Sequence, residues 1–127
     1  MSIILITGAT SGFGEAAAHL FAKNNWNIII TGRRKERLQK LESDLKSTHN
    51  IEVLSLCFDV QNLQEVQQAV NSLSGDWKNI DVLLNNAGLA VGRGPIHEGL
   101  YEDWNQMIDT NVKGLLYMTR EISPLMV

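Results

Sequence analysis

Short, wholly apolar runs alternate along this chain with longer stretches in which apolar residues recur every three or four positions. Ile3-Ile4-Leu5-Ile6 is the first such run, the pattern of a strand covered on both faces. Phe13, Ala16, Ala17, Leu20 and Phe21 follow at helical spacing and predict an amphipathic helix with that stripe turned inward. Trp26 to Thr31, Ile51 to Val60 and Ile80 to Leu84 repeat the strand pattern. Between them lie two more helical stripes: Leu38, Leu41 and Leu45 after Arg33, then Leu63, Val66, Ala69, Val70 and Leu73. Asn62 and Glu65 have the spacing of a helix cap and its reciprocal partner, and Gly75-Asp76 ends that stripe. From about Glu102 to Pro124 one long helix is expected, marked by Trp104, Met107, Ile108, Asn111, Leu115, Met118 and Ile122.

Strands and helices in strict alternation with short connections predict an α/β fold, a doubly wound parallel sheet of the Rossmann type in the order 3-2-1-4. The ligand crevice of such a sheet lies at the carboxyl ends of its strands. The stretch Leu89 to Leu100, with Gly92, Gly94 and Pro95, is a loop at that same end.

At 127 residues the chain reads as a single domain over 1–127. A formal charge of -3, with 44% hydrophobic and 20% charged residues, offers no general attraction to nucleic acid or to an anionic membrane surface. No apolar run reaches the roughly 18 residues of a membrane span, and Met1-Ser2 leads straight into the first strand, so a cytoplasmic protein with a small-molecule partner is expected. Cys57 is the only cysteine and lies within an apolar segment, which excludes an internal disulfide and predicts a structural thiol.

The chemistry gathers where strands end. Thr7-Gly8-Ala9-Thr10-Ser11-Gly12-Phe13-Gly14 joins the first strand to the first helix. Glycine there permits backbone conformations closed to other residues and leaves room for a ligand, while the first amides of the helix lack intrahelical acceptors. A pyrophosphate suits that junction, and the absence of a following Gly-Lys-Ser/Thr argues against ATP or GTP hydrolysis. Arg33, Arg34, Lys35 and Arg37 cluster at the start of the second helix, where the macrodipole already places positive charge. The cluster is either a solvated basic helix start or a site for an anion. Since arginine at this strand end accommodates a 2′-phosphate where an acidic residue would hold ribose hydroxyls, the second alternative points to NADP. Asp59 and Val60 end the third strand, where a carboxylate can accept from an adenine amino group; taken alone, Asp59 is equally a turn residue. Asn85-Asn86-Ala87-Gly88 closes the fourth strand with small or amide side chains that let backbone approach a ribose or nicotinamide, although alone it is a turn signal. Asn111 interrupts the last helix as a poor helix former, either satisfied by a neighbouring carbonyl or used in chemistry.

These motifs resemble, in order and approximate spacing over essentially the whole chain, the classical short-chain dehydrogenases/reductases. Gly32-Arg33-Arg34 and the segments 102–111 and 114–120 are similar, more narrowly, to the NADP-dependent serine or 3-hydroxy acid dehydrogenases. The resemblance implies an oxidoreductase that moves a hydride between NADP and a small 3-hydroxy acid or related alcohol or carbonyl, assembled as a homo-oligomer, usually a tetramer. It implies that Gly8, Ala9, Thr10, Ser11, Gly12, Phe13 and Gly14 hold the pyrophosphate side of the cofactor, Arg33 and Arg34 the 2′-phosphate, Asp59 and Val60 the adenine. Asn86, with Ala87 and Gly88 beside it, would serve a ribose. Asn111 would be the first member of the family's Asn-Ser-Tyr-Lys catalytic tetrad, bending the helix and holding a water. Its partners are missing here: Tyr101 is followed four residues on by Asn105 and Tyr117 by Glu121, so neither forms Tyr-x-x-x-Lys. The 127 residues therefore look like a cofactor-binding half, ending before the family's fifth strand and expected to leave Leu115, Ile122 and Leu125 uncovered. A non-catalytic NADP-binding module, or a reductase of another carbonyl class, are the alternatives. No metal ligands are expected.

Overall fold

A computed structural model describes residues 2–89 and 94–127. Four parallel strands, β1 (Ile3–Ile6), β2 (Asn27–Gly32), β3 (Val53–Cys57) and β4 (Val82–Leu84), form one sheet in the order β3-β2-β1-β4. The expected doubly wound sheet and its strand order are thus observed. β1 is central and fully buried, in register Ile4 with Ile28 on one side and with Val82 on the other.

Because side chains alternate across a strand, β1 feeds two separate cores. Ile4 and Ile6 pack with Ile28 and Ile30 beneath helices α1 (Gly12–Lys23) and α2 (Lys35–Thr48), which contribute Ala18, Ala22, Leu38, Leu41 and Leu45. Ile3 and Leu5 face the opposite way, with Ile29, Phe58 and Val60, against Val66 of α3 (Leu63–Asn71) and against Met118 and Ile122 of the terminal helix. Burying an aliphatic side chain contributes about 1.5–3 kcal/mol, so the two layers fix which faces the helices occupy.

Several elements differ from the reading of the sequence. In α1 the buried residues are Gly14, Ala18 and Ala22, while Phe13 and Leu20 are 88% and 59% exposed. Small residues make the fully buried contact with the sheet, while Ala17 and Phe21 of the expected stripe are partly buried against the same core. Asn62 does cap α3 by accepting from the Glu65 amide at 3.1 Å, but the Glu65 carboxylate accepts from the Asp59 amide at 3.3 Å instead of returning to Asn62. Cys57, at the end of edge strand β3, is exposed rather than packed in a core. The outer-strand position leaves its side chain beside the Arg33 carbonyl, 3.6 Å away.

The long terminal helix is continuous but not uniform. An α-helix, α4 (Tyr101–Ile108), passes through a π-helical stretch at Asp109–Gly114 into α5 (Leu115–Ile122). Leu115 is exposed as expected, but Ile122 is fully buried and Leu125 is partly buried against the same core. Beside Leu115, the exposed apolar residues between Ile108 and Leu116 are Ile108, Val112 and Leu116. Of the loop expected over 89–100, residues 90–93, which include Gly92, lie outside the described residues; Ile96–Glu98 forms a short 3₁₀ turn. Among the described residues no helix is long and apolar enough to cross a membrane.

Candidate functional site

The end of β1 is held by Thr7. Its buried hydroxyl accepts from the amides of Asn86 (3.0 Å) and Ala87 (2.9 Å) and reaches the Leu84 carbonyl at 3.5 Å, tying the glycine turn to the segment after β4. Gly8 follows with φ +60°, and a Cβ there would stand 2.8 Å from the Ala87 Cα. Both the left-handed conformation and the contact therefore require glycine. Gly14 answers from α1: a Cβ would run into the Gly8 carbonyl oxygen and approach the Asn86 side-chain amide to 2.5 Å. That amide donates to the same Gly8 oxygen at 3.0 Å. Gly12, φ +34°, has open space where its Cβ would be.

Ser11 occupies the cap position of α1 without capping it; its hydroxyl turns back to the Gly8 carbonyl at 3.3 Å. The leading amides of a twelve-residue helix are thus left to an outside acceptor, and the helix dipole favours an anionic one.

A cavity of about 210 Å³ opens at this junction, between the carboxyl ends of β1, β2 and β3. Gly8, Thr10 and Ser11 line it from the turn, Arg33, Arg34 and Arg37 from the start of α2, and Asp59 and Val60 from the segment after β3, with Ala87, Gly88 and Thr110 closing the remaining side. Among the described residues none of the three arginines forms an ion pair. The α2 N-terminus is likewise uncapped by the Arg34 side chain. Three guanidinium groups and a positive helix end thus converge on one cavity, an arrangement that a bound anion relieves.

Asp59 is both turn and wall. Its Oδ1 accepts from the Gln61 amide at 2.9 Å, closing an Asx turn, and the residue lines the cavity. Val60 is fixed by the terminal helix: a Cβ on Gly114 would lie 2.6 Å from Val60 Cγ2, so the missing side chain seats the valine.

The other sequence candidates stand outside the cavity. Ala9 is buried, its amide donating to the Thr31 carbonyl at 3.0 Å; Phe13 projects into solvent; Gly12, Gly14 and Asn86 shape the turn from behind. Asn111 is exposed within the π stretch, not on the apolar side of its helix. Its amide pairs with the backbone of Leu89, accepting from the amide at 2.8 Å and donating to the carbonyl at 2.9 Å. The neighbouring-backbone alternative accounts for its side chain, and the clip brings the segment after β4 against the helix. Asn111, where the resemblance implied a bend, lies within the π stretch.

Two residues at the cavity or its turn were not among the sequence candidates. Thr7 had a signal, a hydroxyl at the last position of a buried strand just before the glycine turn. Thr110 had none. It is 7% exposed and its hydroxyl has no hydrogen-bond partner. A second cavity, lined by Ile3, Asn27, Glu52, Asp76, Trp77 and Asn79, lies at the amino-terminal end of the sheet and has no glycine turn or cationic cluster. Among the described residues no group of three potential metal ligands exists.

Residues 2–127 match the short chain dehydrogenase family. The NADP-dependent 3-hydroxy acid dehydrogenase YdfG of Salmonella typhi is 50% identical over 125 residues, covering 98% of this chain and 49% of that protein. Serine 3-dehydrogenase of Rhizobium radiobacter is 43% identical over 124 residues, covering 98% and 48% respectively. Among solved structures, the closed form of serine dehydrogenase complexed with NADP+ superposes with a TM-score of 0.88 at 49% identity, over 98% of this chain and 49% of that one. The chain spans about half the length of the curated relatives it matches.

Proposed function

This chain belongs to the short-chain dehydrogenase family, and from that premise we propose that it is the NADP-binding half of a dehydrogenase acting on a small 3-hydroxy acid or a related alcohol or carbonyl compound. One observation carries the reading: the glycine turn at Gly8, where the neighbouring backbone leaves no room for a Cβ, shares its cavity with Arg33, Arg34 and Arg37, none of them ion-paired among the described residues. NAD would leave those guanidinium groups without the phosphate that they suit.

In this reading the α1 amides and the turn from Gly8 to Gly14 hold the pyrophosphate, Arg33 and Arg34 the 2′-phosphate, and Asp59 and Val60 the adenine. Asn86, Ala87 and Gly88 border the ribose on the nicotinamide side. Bound NADP supplies the hydride acceptor or donor. Asn111 holds the segment after β4 in place and takes the family's tetrad position, while the proton-transferring tyrosine, its lysine and the serine are assigned to sequence beyond these 127 residues. A homo-oligomer in the cytoplasm, acting on small molecules rather than on nucleic acid or membrane, completes the proposal. The 3-hydroxy acid and serine dehydrogenases to which the chain is similar support the 3-hydroxy acid class.

The test is calorimetric titration of NADP and NAD into the purified protein. NADP is expected to bind at least tenfold more tightly, since each charge-assisted bond to the extra phosphate contributes about 1.5–3 kcal/mol. Equal affinities would remove the NADP assignment. If both bind, oxidation of serine or 3-hydroxypropanoate by the complete protein separates the dehydrogenase from a non-catalytic binding module.

A further inference from the structure

Two histidines meet across the helices that share one face of the sheet. His19 is carried by α1 beside buried Ala18, and His49 ends α2, its amide donating to the carbonyl of buried Leu45 at 3.0 Å. Both are half-buried. Their ring centroids lie 6.4 Å apart with the planes tilted by 59°, which matches neither a stacked nor an edge-on pair. Among the described residues neither imidazole takes part in a hydrogen bond or an ion pair. Each neutral ring therefore offers a nitrogen lone pair, and imidazole is a ligand suited to zinc, copper and nickel.

The spacing suits a shared ion. A metal bound at about 2.0–2.1 Å by one nitrogen of each ring would hold the centroids about 5–6 Å apart. The observed 6.4 Å closes to that span through side-chain torsions, since half-buried rings turn without moving the helices. The helices also favour a cation there. α1 and α2 each connect neighbouring parallel strands, so they run in the same direction and their C-terminal ends lie at one edge of the sheet. Unsatisfied carbonyls at those ends carry partial negative charge. Of the lysines in the two last turns, Lys46 is engaged by Glu42 at 3.3 Å, and Lys23, four positions after His19, is the opposing charge.

We infer that His19 and His49 form a binding site for a divalent transition-metal ion of the zinc or copper class, with water in its remaining positions. Only two protein ligands are present, so the ion exchanges with solvent, unlike the closed structural zinc sites that protein ligands fill completely. By bridging α1 and α2 it pins together the two helices whose opposite, N-terminal ends border the arginine-bearing cavity. The site requires no nucleotide, so it stands or falls independently of the cofactor reading.

The purified protein is titrated calorimetrically with zinc chloride alongside His19→Gln and His49→Gln. His97→Gln and Cys57→Ser serve as controls, because both side chains are exposed metal-binding groups elsewhere on the surface. Thermal unfolding is measured in EDTA and in zinc, since an ion that binds only the folded chain raises the melting temperature. The parent and both controls are expected to bind one ion and to melt higher in zinc. His19→Gln and His49→Gln are each expected to bind about tenfold more weakly or worse and to lose the shift, while melting like the parent in EDTA. Acidification should weaken binding by the parent, because protons compete for the imidazole nitrogens. Loaded with copper, the parent should show two nitrogen ligands by electron paramagnetic resonance and either variant one, a readout that holds even where a variant is less stable. A parent that binds no zinc, an affinity unchanged in either His19→Gln or His49→Gln, or binding lost in His97→Gln or Cys57→Ser overturns the site.

Discussion

The Thr7 hydroxyl and the Asn86 amide meet at 3.0 Å across the carboxyl ends of β1 and β4, and the same hydroxyl takes the Ala87 amide at 2.9 Å. The contact spans 79 positions of sequence. It joins the glycine turn to the segment whose backbone borders the cavity, tying the two halves of the site together.

Thr7→Val should leave those two amides without an acceptor, a loss of about 1–3 kcal/mol, while Thr7→Ser should recover most of it. Urea unfolding of the three proteins measures the difference. Equal midpoints for the valine and parent proteins would show that water replaces the hydroxyl at no cost.

Gly8→Ala combines a φ of +60° with a Cβ only 2.8 Å from the Ala87 backbone. The conformational part costs about 1–2 kcal/mol, and the contact adds to it. Destabilisation and at least tenfold weaker NADP binding are expected together, whereas Gly12→Ala, with open space around its Cβ, should be milder in stability. Calorimetry and thermal unfolding on both variants check the contrast.

Arg33→Ala should narrow the preference for NADP over NAD by about tenfold or more, since one charge-assisted bond contributes about 1.5–3 kcal/mol. NAD affinity should barely change. Rising salt should erode NADP binding by the parent more than by the variant, which titrations at two ionic strengths can measure.

Asp59 serves a turn and a cavity wall at once, and two substitutions separate these roles. Asp59→Asn keeps an oxygen for the Gln61 amide, now 2.9 Å from Oδ1, but presents no carboxylate; it should bind NADP several-fold more weakly at unchanged stability. Asp59→Ala should lower both. An asparagine variant with parental affinity would leave the turn as the residue's whole function.

The 127-residue chain alone is expected to produce no NADPH from serine, allo-threonine or 3-hydroxypropanoate, because neither tyrosine has a lysine four residues on. Lys113 is engaged with Asp109 at 3.3 Å. The exposed face formed by Ile108, Val112, Leu115 and Leu116 should drive self-association. An NADPH assay with light scattering on the same sample tests both, and clear turnover by a monomer would falsify them.

Periodicity alone determined the alternation of strands and helices, hence the parallel sheet and the end at which a ligand sits, because burial on both faces demands unbroken apolar strands and amphipathic helices. The glycine turn, the arginine cluster and the segment Asn85 to Gly88 were legible for the same reason: special backbone conformations and clustered charge leave few alternatives in sequence. Tertiary structure decided what depends on contacts between distant residues. Phe13 and Leu20 look like core by spacing, yet α1 approaches the sheet through Gly14, Ala18 and Ala22, since the interhelix and helix-sheet distances are fixed by packing. Cys57 became exposed because β3 is an edge strand. Asn111 and Thr110 could be placed only once the π stretch was seen, for that stretch turns one side chain to the Leu89 backbone and strands the hydroxyl of the other.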